Sequence, residues 1–340
     1  MTLRGDRVTL AHGGGGKAMR DLVEEVFTDQ FEPASMEDQA RLEAQALAEP
    51  GARLAFTTDS FVVSPVEFPG GDIGTLAVNG TVNDLAVGGA RPLWLSAAFI
   101  IEEGTEFALL RRIVASMKAE AEKAGVKIVT GDTKVVGRGA ADTLFVTTSG
   151  VGVIPPGRDL AAEHIAPGDV AIVNGVLGDH GACILAARGD MALSSALKSD
   201  CAGLGHLMEA VLAAAPGTKA ARDCTRGGLA SALNEMAATA RVSVELDETA
   251  LPLRAEVKGT CELLGLDPLY LANEGRLVLF VPEAEAEAAL AAMRAVETGH
   301  EARIIGRAGD GPAGLVTMRT AFGGSRIVDM LVGEQLPRIC

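Results

Sequence analysis

The chain ends on a thiol: Pro337-Arg338-Ile339-Cys340 puts a cysteine at the last of its 340 positions. Backbone flanks that residue on one side only, so its sulfur can be carried into a pocket closed to an internal cysteine, which suits it to bearing a substrate group. Pro337 fixes its own φ and biases Leu336 toward extended geometry, predicting a short stiff arm. The run His12-Gly13-Gly14-Gly15-Gly16-Lys17 precedes an apolar repeat at Met19, Leu22, Val23, Val26 and Phe27. A glycine loop thus opens onto a helix N-terminus, where backbone N–H groups favour an anion such as a nucleotide phosphate. The pattern G-x-x-x-x-G-K-[ST] is absent, so this is no Walker A loop, and a plain flexible loop fits the glycines equally well. Three acids follow: Asp59 in Thr57-Thr58-Asp59-Ser60, Asp84 in Asn83-Asp84-Leu85-Ala86, and Asp132 in Gly131-Asp132-Thr133-Lys134. Carboxylates around a phosphate loop make a site for Mg²⁺, which takes one or two carboxylates plus phosphate oxygens. Asp84 shares a helical face with Ile73, Ala77 and Gly80, so a cation or strong donor must meet it. Helix caps and one buried salt bridge would account for the same three acids.

The elements positioning these groups alternate strand and helix in the first half. Residues 54–58 predict a strand that ends at Asp59. Ile73, Leu76, Ala77, Gly80, Asp84 and Val87 mark one helical face; Phe107, Leu110, Ile113, Val114 and Met117 mark another, stopping near Gly125. A short strand at 126–130 then delivers Asp132, and 143–154 is a long β-rich run. Pro155-Pro156-Gly157 punctuates the chain. The second half restarts with a strand at 170–174, the helix-opening Gly178-Asp179-His180-Gly181, and a helix using Leu204, Leu207, Met208, Val211 and Leu212. Asp223-Cys224-Thr225-Arg226-Gly227-Gly228 precedes a helix with Leu229, Leu233 and Met236, and a strand at 277–281 follows. The expected class is α/β (α+β), with domains at 1–155 and 165–330 and a tail at 331–340.

Composition narrows the function. A chain of this length suggests two domains and buries roughly three quarters of its unfolded surface. The formal charge of −15 argues against a phosphate-backbone partner, so no nucleic acid is expected. The first ten residues hold two Arg and no apolar run, and no stretch approaches the roughly 18 apolar residues of a membrane span, which predicts a cytoplasmic protein without membrane contact. The five cysteines are odd in number, widely spaced and never in a C-x-x-C pair, which favours neither a disulfide framework nor structural zinc. Cys183 and Cys261 lie among apolar neighbours and suit the core. Cys340 alone lacks a packing explanation.

From His12 to Cys340 the chain resembles the HypE family of hydrogenase maturation carbamoyl dehydratases. The carriers are the His12–Gly16 loop, Thr58-Asp59-Ser60, Phe68-Pro69-Gly70-Gly71, Asn83-Asp84, Gly131-Asp132-Thr133-Lys134, Gly178-Asp179-His180-Gly181, Thr225-Arg226-Gly227-Gly228, Ala272-Asn273-Glu274-Gly275 and the terminal Pro-Arg-Ile-Cys. Several are shared with the wider ATP-using superfamily of aminoimidazole ribonucleotide synthetase and selenophosphate synthetase; the terminus and the Lys134 and Glu274 motifs narrow it.

The resemblance implies a two-domain PurM-like ATP-binding fold whose N-terminal sheet pairs in a homodimer. It implies that a carbamoyltransferase, HypF, loads Cys340, that ATP activates the carbamoyl oxygen, and that loss of phosphate leaves a thiocyanate for iron on a HypC–HypD complex. It further implies ATP phosphates under His12, Gly13, Gly14, Gly15 and Gly16, with Thr133 and Arg226 nearby, and Mg²⁺ on Asp59, Asp84 and Asp132. Lys134 would stabilise the oxygen or hold the tail, and Glu274 would take the amide protons. His12 and His180 stay open between hydrogen-bonded structure and phosphate contact, and Arg226 between a phosphate and the tail carboxylate. The tail is expected to move, with Gly333 as hinge and Pro337 as lever. A selenophosphate synthetase-like phosphotransferase would carry a reactive Cys or Sec near its N-terminus, and the first 17 residues contain none; a non-catalytic scaffold would deliver a ligand without turning ATP over.

Overall fold

The computed structural model describes residues 3, 5–32, 39–43, 45, 49–189, 197–331 and 338–340. The expected hinge at Gly333 and lever at Pro337 lie outside the described residues.

The first unit opens with helix α1 (Lys17–Leu22), which passes through a π-helical stretch, Val23–Thr28, into α2 (Asp29–Phe31). Strand β1 (Arg53–Phe61) follows, then a two-stranded ribbon of β2 (Glu67–Phe68) and β3 (Gly71–Asp72), helix α3 (Ile73–Val87), β4 (Arg91–Glu102), α4 (Phe107–Ala124), β5 (Lys127–Val136) and β6 (Leu144–Ile154). The sheet order is β1-β6-β4-β5. Both α3 and α4 lie on one face, where Phe61, Leu76, Leu95, Phe99, Leu110, Ile113 and Met117 form the core. Opposite them Leu54, Phe56 and Ile100 are 58%, 69% and 41% exposed, so the second face is open.

Strand β5 runs past the expected 126–130 and β1 past the expected 54–58, so Asp132 and Asp59 sit within strands rather than at their ends. Cross-strand register decides which face each uses. Ser60, Thr147, Ala98 and Asp132 stand in one row across the sheet, and Asp59, Thr148, Ala97 and Gly131 in the next. Side chains alternate faces along a strand, so neighbouring rows point to opposite sides. The Asp59 row faces α3, because the Thr148 hydroxyl donates to the Ala77 carbonyl at 2.9 Å. Thr148→Val, which keeps the shape and removes that bond, is expected to cost about 1–2 kcal/mol in thermal or denaturant unfolding.

The second unit contains β7 (Val170–Val173), α5 (Asp179–Ala187), α6 (Gly205–Ala214), β8 (Ala220–Asp223), α7 (Gly228–Ala240), β9 (Ser243–Asp247), α8 (Ala255–Leu264), β10 (Leu277–Val281), α9 (Ala286–Arg294), β11 (Arg303–Gly309), β12 (Val316–Arg319) and β13 (Ser325–Ile327). Its seven strands are ordered β13-β12-β9-β11-β7-β10-β8. Val278 and Phe280 pack toward Leu229, Leu233 and Met236 of α7, while Leu277, Leu279 and Val281 pack toward α6 and α9. That two-sided burial explains the unbroken apolar run of β10. The units meet at α3: the Asn83 side chain accepts from Leu204 N–H at 2.7 Å and donates to the Ala202 carbonyl at 3.0 Å. Among the described residues, no helix is long and apolar enough to cross a membrane.

Candidate active site

Strand β1 leads directly into the seat of the C-terminal arm. Val62 N–H donates to the Cys340 carbonyl at 2.9 Å and Ser64 N–H to the Arg338 carbonyl at 3.3 Å, so the last residues lie beside 62–64, with a turn at Arg338, whose φ is +55°. Ile339 is 4% exposed and belongs to the core under α3 and α4. Fully burying such a side chain is worth about 1.5–3 kcal/mol. Arg338 forms an ion pair with Asp142.

Burial pushes the Cys340 thiol up to about 12; Glu274, Asp59 and Asp223 add to the rise and Arg226 opposes it. The docked sulfur is therefore a neutral thiol. An acid whose folded-state value is raised favours folding at low pH, and loses that contribution as pH climbs. Docking is thus expected to be constant below the ordinary thiol value of 9 and to weaken by up to about tenfold per pH unit between there and about 12. The Ile339 methyl signal in isotope-labelled protein would report this, with Cys340→Ser expected to stay flat over the same window.

The acids gathered near the thiol come from four elements. Asp59 on β1 is raised by burial and lowered by Ser60 N–H and Arg226. Asp84 on α3 accepts the Thr57 hydroxyl at 2.7 Å; burial raises it, that bond lowers it, and Asp59 raises it again. The strong donor expected beside Asp84 is therefore Thr57. Asp223, the last residue of β8, is pushed up to about 7 by burial, with Asp84 and Asp59 adding to it. Glu274, 3% exposed in the loop before β10, is raised well above the usual carboxylate range by burial and by Asp200, Asp223 and Asp59. Its Oε1 atom has no hydrogen-bond partner among the described residues, which leaves it open to a group that enters the site.

Within one chain the three acids read from sequence as a metal set do not come together. Asp132 projects from the open face, with three interstrand spacings, about 14 Å, between its strand and that of Asp59. Its carboxylate receives Lys134 Nζ at 2.8 and 2.7 Å, and that bond holds it below the usual range. Thr133, buried, points to the other side. Among the described residues no three Asp, Glu, His or Cys side chains converge closely enough to enclose a metal. Asp59 and Asp84 do stand together, joined by Asp223, which sequence reasoning passed over. Its signal was available, as an acid at a strand end ahead of a glycine-opened helix. Mg²⁺ takes one or two carboxylates plus phosphate oxygens, a need that Asp59 and Asp84 can meet without a third acid.

The glycine loop lies with Asp132 rather than with Cys340. A side chain at Gly13 would meet Val135 of β5 at 2.9 Å, whereas Gly14, Gly15 and Gly16 are exposed or nearly so. His12 is buried against Phe107, its Nδ1 accepting from Thr9 N–H at 3.0 Å, so it caps this turn instead of offering that nitrogen to a ligand. Two groups thus exist in one chain: the loop, Asp132 and Lys134 around β5, and Asp59, Asp84, Asp223, Arg226, Glu274 and Cys340 between the units.

These two packed α/β units define the class. The N-terminal domain of AIR synthase related proteins matches residues 36–154 and the C-terminal domain matches 166–318. Over 340 residues, all of both chains, the sequence is 78% identical to carbamoyl dehydratase HypE of Rhodobacter capsulatus. The crystal structure of hydrogenase maturation protein HypE in complex with ATP superposes with a TM-score of 0.92 at 45% identity, over 97% of this chain and 99% of that one. A HypE–HypF complex gives 0.80 at 45% identity, over 91% and 99%. The chain belongs to the HypE family of carbamoyl dehydratases, enzymes of hydrogenase maturation.

Proposed function

We propose that this chain carries a carbamoyl group on the Cys340 sulfur and dehydrates it to a thiocyanate at the expense of ATP. The observation that carries this reading is the docked terminus: the thiol is held where Glu274, Arg226, Asp59 and Asp223 all act on it. An amide oxygen leaves poorly, and the same oxygen bearing a phosphoryl group leaves as phosphate. Phosphorylation of the oxygen releases one of the two amide protons to solvent, Glu274 as carboxylate takes the other as phosphate leaves and the C≡N bond forms, and Arg226 offsets charge on the departing oxygen. Asp59 and Asp84 would hold Mg²⁺, which supplies charge neutralisation for the phosphates when bound.

The glycine loop, with Asp132, Thr133 and Lys134, supplies the phosphate-facing half. Because it lies apart from Cys340 within one chain, a second copy packed on the open face bearing Leu54, Phe56 and Ile100 completes the site, making the enzyme a homodimer. HypF loads the arm in its outer position and a HypC–HypD complex receives the cyano group, both in the cytoplasm. The ATP and HypF assignments draw on the solved HypE complexes that bear those names.

The test is intact mass and C-terminal peptide mass after incubation with the carbamoyltransferase, carbamoyl phosphate and ATP. Addition of a carbamoyl group followed by loss of one water at Cys340 is expected. ATP turnover without water loss, or modification at another cysteine, would refute the proposal.

A further inference from the structure

Two motifs remain unused by this chemistry, Phe68-Pro69-Gly70-Gly71 and Gly178-Asp179-His180-Gly181. They meet at the C-terminal arm. His180, fully buried near the start of α5, has its Nε2 at 2.8 Å from the Ile339 carbonyl oxygen and its Nδ1 at 2.8 Å from the Ser199 hydroxyl. A carbonyl only accepts, so Nε2 carries the hydrogen. Burial holds the imidazole below its ordinary range and hence neutral, leaving Nδ1 as an acceptor. Ser199 can fill it, because its oxygen already accepts Cys201 N–H at 3.1 Å and its own hydrogen remains to be given.

The glycine turn sets Ser199. Ser199 N–H donates to the Pro69 carbonyl at 2.8 Å. Gly70 has φ of +97°, and a side chain there would come within 2.9 Å of the Ser199 backbone. The Phe68 ring stands edge-on to the imidazole at 5.6 Å. One residue further along the arm, Arg188 at the end of α5 donates to the Arg338 carbonyl at 2.8 Å and to the Ser64 carbonyl at 2.9 Å.

We infer that His180, with its tautomer fixed by Ser199 and its place fixed by the turn at Gly70, is a positioning residue that latches the arm in its inner position, assisted by Arg188. The inference deepens the reading of Cys340 as carrier and rests on it. His180 reads backbone rather than side chain, so the latch closes whether the sulfur is bare or carbamoylated.

The experiment follows alkylation of Cys340 by iodoacetamide in the full-length protein, read on the C-terminal peptide, beside ATP-dependent water loss from protein carbamoylated beforehand. His180→Phe keeps a flat ring and removes the donor; alkylation is expected to rise about tenfold and water loss to fall about tenfold, with carbamoylation retained. His180→Gln, which keeps an N–H donor, is expected to return both to within a few-fold of wild type. Ser199→Ala, which frees the tautomer, is expected to give a smaller rise. Unchanged alkylation in a folded His180→Phe, or no rescue by Gln, would overturn the latch. Should His180→Phe fail to fold, an unchanged rate in Ser199→Ala does the same. Water loss missing from wild type would sink the dehydratase reading, while the order of alkylation rates would still decide the latch.

Discussion

Cys340→Ala is expected to abolish carbamoyl acceptance and all water loss, while ATP binding stays close to wild type. The sulfur is the only atom removed, and the arm is seated by other means: the Cys340 carbonyl accepts Val62 N–H, and Ile339 stays in the core. Cys183, Cys201, Cys224 and Cys261 are not expected to substitute, because none sits on the arm and burial holds each thiol up, to about 11 for Cys183 and Cys261. Peptide mass after loading checks the first half and equilibrium nucleotide binding the second. A carbamoyl group found on the variant would transfer the carrier role elsewhere.

Asp84→Asn is expected to lower nucleotide-dependent dehydration by about two orders of magnitude or more, the scale of losing one preorganised electrostatic partner. The amide keeps an oxygen for the Thr57 hydroxyl, so the α3 to β1 contact survives and only the charge beside Asp59 and Asp223 goes. Loading of Cys340 should persist, since it takes place on the carbamoyltransferase. Single-turnover water loss from preloaded protein measures the effect. Metal-dependent ATP binding equal to wild type would reduce Asp84 to a structural carboxylate.

Much of this arrangement was legible in the sequence. The apolar spacing at Phe107, Leu110, Ile113, Val114 and Met117 and the stop at Gly125 correspond to α4, which ends in a left-handed Gly125. The face through Ile73, Ala77, Gly80 and Asp84 corresponds to α3, and Asp84 does meet a strong donor. That Asp132 lies apart from Asp59 and Asp84 within one chain is something spacing along the chain cannot reveal. Whether two strand residues share a face depends on the parity of their register across the intervening strands. Strand β4, not recognised beforehand, sets that parity between β5 and β6. Asp223 went unassigned because its interest lies in Asp59 and Asp84, more than a hundred residues away. Likewise His180 was undecided between structure and phosphate because its partner, Ile339, is 159 residues distant.

The burial of Ile339 in the first core links this enzyme's traffic to its stability. Withdrawing that one side chain into water costs about 1.5–3 kcal/mol, which leaves the arm outside on the order of a few per cent of the time before any hydrogen bond is counted. A partner that captures only the outer form sees its apparent affinity diluted by that fraction. Conversely, the nucleotide site meets a loaded arm nearly as soon as the partner lets go. If the arm moves as proposed, the penultimate residue would work as a return spring, setting how long the carbamoyl group travels in solvent and how rarely an empty arm is offered for loading.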